Sequence, residues 1–224
     1  MITCARVGLN SLPMYHENPA AVAPAGPADA ARAAPVVVAL IGLPGAGKTV
    51  VARALEDQLG LRRVCRDAIR HAMFPKCSYS FAEKRAAFRA MLVALEVNCL
   101  LGESSVLDGM TFSRRRDLLR VDAVVRRYGF TPVPIYLDCP PQLARARIAQ
   151  DVRDNRHLAR DRTPESVTEV LVRFEAPPPN ALVIDAALPT TQMCRVAIEA
   201  VAAIRGTRMA TLEAVAGQGI GKHG

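Results

Sequence analysis

Residues 36–50 read Val-Val-Val-Ala-Leu-Ile-Gly-Leu-Pro-Gly-Ala-Gly-Lys-Thr-Val. An apolar, β-branched run ends at Ile41, and Gly42, Gly45, Gly47, Lys48 and Thr49 then fill the pattern G-x-x-x-x-G-K-T, a phosphate-binding loop. Each residue type has a physical task. Glycine permits backbone angles closed to other residues and lets the chain approach a phosphate closely. Successive backbone N–H groups along Gly42, Leu43, Pro44, Gly45, Ala46, Gly47, Lys48, Thr49 and Val50 form an anion-binding nest, with Pro44 contributing no donor. The helix that follows directs its positive N-terminal end at the same phosphates. Lys48 supplies a mobile charge to the β- and γ-phosphates, and the Thr49 hydroxyl is placed to bind Mg²⁺.

Working outward, the unbroken apolar run Val36–Ile41 predicts a strand buried on both faces, as in a parallel sheet. Lys48–Leu59 carries Val51, Leu55 and Leu59 at helical spacing, and Gly60 is a suitable stop. A short strand over Arg62–Cys65 leads into a helix from Asp67 to Phe74, which Pro75 ends. Phe81–Leu101 is a long helix with Phe88, Leu92, Leu95 and Cys99 in one stripe. Ser104–Leu107 is a strand delivering Asp108 and Gly109. Ser113 is placed to cap a helix over Arg114–Tyr128. Val133–Leu137 is a strand, and Pro140 and Pro141 open a helix to Val152. Arg153–Arg162 reads as an Arg-dense loop, and Thr163-Pro164-Glu165 starts a helix to Phe174. Leu182–Asp185 is the last strand and Thr190–Ile204 the last helix. Strands alternating with helices predict a three-layer α/β P-loop NTPase fold, with a parallel sheet of about five strands flanked by helices. The expected organisation is an Ala/Pro-rich, disordered lead-in over residues 1–35, one domain over 36–205 and a flexible tail over 206–224.

The chain has 224 residues, enough for one α/β domain with terminal extensions. No apolar stretch reaches the ~18 residues of a membrane span, and no secretory signal stands at the start. Six cysteines are scattered without a C-x-x-C pair, which fits a reduced, cytoplasmic setting. The net charge of +8 comes almost entirely from arginine, a residue that binds phosphate in a bidentate fork. That excess fits a protein handling ATP and a second anionic substrate, nonspecific attraction to nucleic acid, or simply a solvated cationic surface.

Four segments together resemble the small P-loop kinases over Val36–Ile204. They are the loop Gly42–Thr49; Asp67-Ala68-Ile69-Arg70, matching a D-x-x-R after the second strand; Val106-Leu107-Asp108-Gly109-Met110-Thr111-Phe112, matching a V-L-D-x-T-F segment; and Phe174-Glu175-Ala176-Pro177 followed by Leu182–Asp185. The pattern is most similar to the polynucleotide-kinase-like, zeta-toxin-like and chloramphenicol-phosphotransferase-like branch, and also to adenylylsulfate kinase. Two departures stand out: Arg66 occupies a position usually small in these kinases, and the D-G-D-N-x-R run of adenylylsulfate kinases is Cys65-Arg66-Asp67-Ala68-Ile69-Arg70 here.

The resemblance implies an ATP-dependent kinase that uses Mg²⁺ and phosphorylates a hydroxyl of a small molecule or nucleotide. It makes Asp67 the general base or orienting group for that hydroxyl. Arg70, on the same helical face, either holds an anionic group on the acceptor or steadies Asp67. The plainer reading is an N-cap aspartate with a local salt bridge. Asp108 either holds Mg²⁺ through water opposite Thr49, orients the acceptor, or serves as a turn residue. Among the arginines of the lid region, Arg147 and Arg153 are the candidates to neutralise charge in transfer, with Arg145, Arg156 and Arg160 nearby. Arg114, Arg115 and Arg116 oppose a helix dipole, so either one binds a ligand or all three are solvated. His71 and His157 are isolated, so no zinc site is expected. Cys65 and Cys139 read as core fillers, and Asp138 and Asp185 as structural. Two other functions compete: a polynucleotide or tRNA kinase, which the charge fits but the 4% aromatic content disfavours, and a nucleotide-dependent switch that hydrolyses ATP and transfers nothing.

Overall fold

The computed structural model describes residues 34–154 and 163–218. The expected lead-in therefore lies outside the described residues except for Ala34 and Pro35, as do Arg156, His157 and Arg160. The elements are β1 (Val36–Ile41), α1 (Lys48–Leu59), β2 (Arg62–Cys65), α2 (Arg66–Met73), α3 (Phe81–Leu100), β3 (Ser105–Asp108), α4 (Arg115–Arg127), β4 (Thr131–Asp138), α5 (Pro141–Arg153), α6 (Glu165–Val172), β5 (Leu182–Asp185) and α7 (Thr190–Gln218). The five strands form one parallel sheet in the order β2-β3-β1-β4-β5.

Strand β1 is central, and every one of its residues is buried. Val36, Val38 and Leu40 pack beneath α1, α5, α6 and α7, through residues such as Leu55, Ile148, Val170 and Ala197. Val37, Ala39 and Ile41 pack on the opposite face, against Phe88, Met91 and Leu95 of α3 and Val121 and Val125 of α4. This alternation explains why the β1 sequence is apolar at every position. Each fully buried Val, Leu or Ile contributes roughly 1.5–3 kcal/mol by leaving water.

Three local readings change. β4 extends back to Thr131 and so includes Pro132 and Pro134, although proline cannot donate to a ladder. Thr131 N–H donates to Pro35 O on the β1 side, so by alternation the two proline nitrogens face the β5 side. Pairing with β5 starts only at Ile135 opposite Leu182, and neither proline blocks it. Second, α7 continues past Ile204 to Gln218. A single helical glycine such as Gly206 costs only about 1 kcal/mol, and the residues after it include good helix formers.

Third, Ser113 does not cap α4. The N-cap position is Arg114, which offers no side-chain cap, and the orphan N–H of Arg115 donates instead to Glu175 Oε2 at 2.7 Å. Glu175 N–H in turn donates to Ser113 O at 2.9 Å. A cap supplied from sixty residues away in the chain is invisible to local pattern. Glu175→Ala should lower stability by about 1 kcal/mol, the usual worth of a lost N-cap, read as a shift in urea midpoint at unchanged slope.

Helix α3 opens with a capping box. Glu83 N–H donates to Ser80 Oγ, and Glu83 Oε2 accepts from Ser80 N–H. Glu83 Oε1 also accepts from Ser78 N–H, tying down the α2–α3 loop. These bonds, the Ser78 amide first among them, lower the Glu83 carboxyl from 4.5 to about 2. A depressed carboxylate stabilises the fold above its unfolded value, so this contribution should fade as pH falls from 4.5 towards 2. An NMR titration should place the Glu83 midpoint near 2; a midpoint at 4.5 would refute the loop tether.

Candidate active site

The loop between β1 and α1 folds as a phosphate cradle. Gly45 has φ 80°, and a Cβ there would lie 2.5 Å from the Ala144 carbonyl oxygen of α5, so only glycine fits. Gly47, at φ 95°, occupies the N-cap position of α1 and leads the loop into the helix. Lys48 is buried and donates from Nζ to Gly42 O at 2.8 Å and Leu43 O at 2.7 Å, so its charge lies against the loop. Two residues of the other elements meet it. Thr49 Oγ1 donates to Asp108 Oδ1 at 3.0 Å, and Asp108 Oδ2 accepts from Arg63 Nη1 at 3.3 Å. Arg63, on β2, is itself held by Glu56 Oε2 of α1 at 2.9 Å. Asp108 is 1% exposed, which its Thr49 and Arg63 partners make tolerable.

A hydroxyl and a carboxylate oxygen 3.0 Å apart beside a phosphate cradle are hard oxygen donors. Mg²⁺ takes one or two protein oxygens and completes its shell with water and substrate phosphate. The Thr49–Asp108 pair fits that requirement. Among the described residues no group of three or more His, Cys, Asp or Glu is arranged for a metal.

Two cavities open at this end of the sheet. The first, of about 210 Å³, is bounded by the loop from Gly45 to Val50, Asp108, Arg147 and Asp151 of α5, and Thr190 and Met193 of α7. The second, of about 160 Å³, is bounded by Asp67 and Arg70 of α2, Thr111, and Arg173 at the end of α6. Lys48 and Gly109 line both. Gly109 has φ 74°, and a Cβ there would lie 2.8 Å from Asp67 N, so this glycine is what lets the β3 end touch the start of α2.

Asp67 is 5% exposed and sits between two guanidiniums, with Arg66 Nη2 at 3.2 Å and Arg70 Nη2 at 3.3 Å from its Oδ1. Of the roles left open for Arg70, the ion pair to Asp67 is present; Arg70 also stacks on the Tyr79 ring, 4.6 Å from its centroid. Tyr79 takes a left-handed backbone angle, φ 58°, in the loop tethered by Glu83.

Of the remaining candidates, Arg147 lines the first cavity, whereas Arg153 is exposed, bonded to Gln150 Oε1 at 2.5 Å, and lines neither. Arg145 donates to Thr168 Oγ1. Arg114, Arg115 and Arg116 border neither cavity. His71 is exposed. Burial pushes the Cys65 and Cys139 thiols up, which suits core fillers and not nucleophiles. Asp138 Oδ1 accepts from the Tyr136 hydroxyl and Asp185 Oδ1 from Ala187 N–H. Arg63, Lys84, Arg173, Thr190 and Met193 carried no sequence signal for the site. Arg66 was visible only as an unusual residue.

No helix of the described residues is long and apolar enough to cross a membrane. No curated protein matches this sequence. Solved structures similar in fold include a kinase of Chloroflexus aurantiacus J-10-fl described as putative in its own right, at 22% identity and TM-score 0.58, covering 72% of this chain and 95% of that one. A gluconokinase from Sinorhizobium meliloti 1021 superposes at TM-score 0.60 and 16% identity, over 79% of this chain and 97% of that one. The Mycobacterium tuberculosis APS kinase CysC, solved with AMPPNP and APS, does so at TM-score 0.55 and 19% identity, over 75% and 98%. At these identities the likeness is one of fold: a parallel five-stranded P-loop architecture shared with kinases. The family model described as AAA domain matches residues 37–177, more than half of the sequence, and the chain belongs to that family.

Proposed function

We propose that the protein is an ATP-dependent kinase that transfers the γ-phosphoryl group to a hydroxyl of a small molecule or nucleotide. The observation that carries this reading is the pair of cavities meeting at Lys48 and Gly109. A hydrolase needs a nucleotide cavity alone; a second one, holding a buried carboxylate beside the loop lysine, is what a phosphoryl acceptor requires. The motifs at Asp67–Arg70 and Val106–Phe112 favour the polynucleotide-kinase-like, zeta-toxin-like and chloramphenicol-phosphotransferase-like branch.

Roles follow from position. Backbone N–H groups of the loop and the α1 N-terminus hold the phosphates, with Lys48 on the β- and γ-oxygens. Thr49 and Asp108 would hold Mg²⁺, which would neutralise phosphate charge there. Arg147 faces the same cavity and adds positive charge on its far wall. Asp67 accepts the hydrogen bond of the acceptor hydroxyl and aims its oxygen at the γ-phosphorus; it takes the hydroxyl proton as the new O–P bond forms, while the bond from the γ-phosphorus to the β–γ bridging oxygen breaks and ADP departs with that electron pair. Arg66 and Arg70 lock its rotamer, so the oxygen is aimed before substrate arrives.

The test is ADP release from Mg²⁺ and ATP, with and without pooled acceptors: nucleosides and nucleotides, sugars and sugar acids, sugar nucleotides, phenicol- and aminoglycoside-type alcohols, and 5′-hydroxyl oligonucleotides. Acceleration by one pool, with a phosphorylated product in mass spectrometry, supports the kinase reading. Turnover indifferent to every pool moves the nucleotide switch to the front.

A further inference from the structure

The wall of the second cavity is strongly cationic. Among the described residues, Lys48, Arg66, Arg70, Lys84 and Arg173 line it together with two carboxylates, Asp67 and Glu169. The cations come from separate elements: the first turn of α1, α2, α3 and the C-terminal end of α6. No local sequence requirement accounts for their convergence. Concentrating like charge around a cavity is unfavourable until an opposite charge enters. Arg66 and Arg70 both bind the same oxygen of Asp67, so one carboxylate faces two guanidiniums. The Nε of Arg66 is buried and has no hydrogen-bond partner, a costly condition for a guanidinium N–H. Arg173 is exposed at the cavity rim. Guanidinium groups bind planar and tetrahedral oxyanions through paired N–H donors.

We infer that this cavity binds an oxyanion, and that the acceptor is an alcohol carrying a carboxylate, phosphate or sulfate group which Arg66, Lys84 and Arg173 hold while Asp67 faces the hydroxyl. The second half of this inference rests on the kinase reading; the first does not. The anion orients the acceptor by its own charge, which gives specificity against neutral alcohols of the same shape. The small residue usual at position 66 in the resembling kinases could not make this contact, so Arg66 is a specificity-determining residue.

Two measurements test this. In the first, protein saturated with Mg²⁺ and AMPPNP, so that the loop is filled, is titrated calorimetrically with sodium sulfate and with sodium acetate at constant ionic strength. One equivalent of either anion should bind, and the double variant Arg66→Met/Arg173→Met should bind it about 10-fold or more weakly, the scale of a lost charged hydrogen bond. Sulfate binding alone points to phosphate or sulfate on the acceptor, acetate binding alone to a carboxylate. No saturable binding of either, or equal binding by the double variant with circular dichroism unchanged, overturns the anion site.

In the second, matched acceptors are compared by ADP release: a sugar acid against its polyol, and a nucleoside monophosphate against its nucleoside. The anionic member should show a KM about 10-fold or more lower, and the single variant Arg173→Met should raise that KM more than it lowers kcat. If neutral members react as well as anionic ones, the acceptor inference fails while the kinase reading stands. If sulfate or acetate binds but no acceptor accelerates ADP release, the kinase reading fails and the anion site stands.

Discussion

Lys48→Ala should reduce acceptor-stimulated ADP release by about 10²–10³-fold, the range seen when one preorganised donor to developing charge is removed. The lysine is buried, and its ammonium already lies on the phosphate loop, bonded to the Gly42 and Leu43 carbonyls. Charge on the bridging and equatorial phosphate oxygens changes during transfer, and among the described residues Lys48 is the lysine that lines both cavities. Nucleotide affinity should fall by less than turnover, because the backbone N–H groups and the α1 N-terminus still hold the phosphates. A fluorescent-nucleotide titration run beside the ADP assay separates the two effects. Turnover that survives the substitution would remove the loop from the chemistry altogether.

Asp67→Ala should act on both activity and stability. Loss of the group that accepts the acceptor proton should lower acceptor-stimulated turnover by ~10²-fold or more. It also leaves Arg70, 3% exposed, and the partly buried Arg66 without their shared carboxylate. Breaking a buried pair by removing one partner costs about 3–5 kcal/mol. The two effects separate through Asp67→Asn, which keeps the volume and an acceptor oxygen for the arginines. The amide variant should regain part of the urea midpoint and little of the turnover. If turnover instead follows the folded fraction across both variants, Asp67 is a structural ion-pair partner and the acceptor-site assignment fails.

Legibility in the sequence tracked the range of the forces involved. The cradle from Gly42 to Val50 was readable because its chemistry is encoded within nine consecutive residues, and β1, α1, β2 and β5 have the bounds expected from their periodicity. Asp67 with Arg70 was readable as an i,i+3 pair, though not whether Arg70 served Asp67 or a ligand. Ser80 and Glu83 carry a capping-box signal, S-x-x-E, at the start of α3. The cap of α4 was misread at Ser113 because the true acceptor, Glu175, belongs to a distant loop. The sequence places Arg147 in a helix and Arg153 in the Arg-dense stretch after it, whereas α5 runs on to Arg153 and carries both. The fold gives them different surroundings, the cavity for one and Gln150 for the other.

The sequence by itself determined the layer order, the phosphate cradle and the presence of an aspartate after the second strand. These depend on spacing along the chain: a period of 3.6 for a helix, an unbroken apolar run for a doubly covered strand, and glycines at fixed offsets for a nest. The tertiary structure alone decided what surrounds them. It brought Arg63 to Asp108, Lys84 and Arg173 to the cavity of Asp67, and Met193 of α7 to the nucleotide cavity. Those neighbours arrive because parallel strands in the order β2-β3-β1-β4-β5 carry their following segments to one end of the sheet. Strand order is set by packing both faces of β1, and no window of sequence contains it.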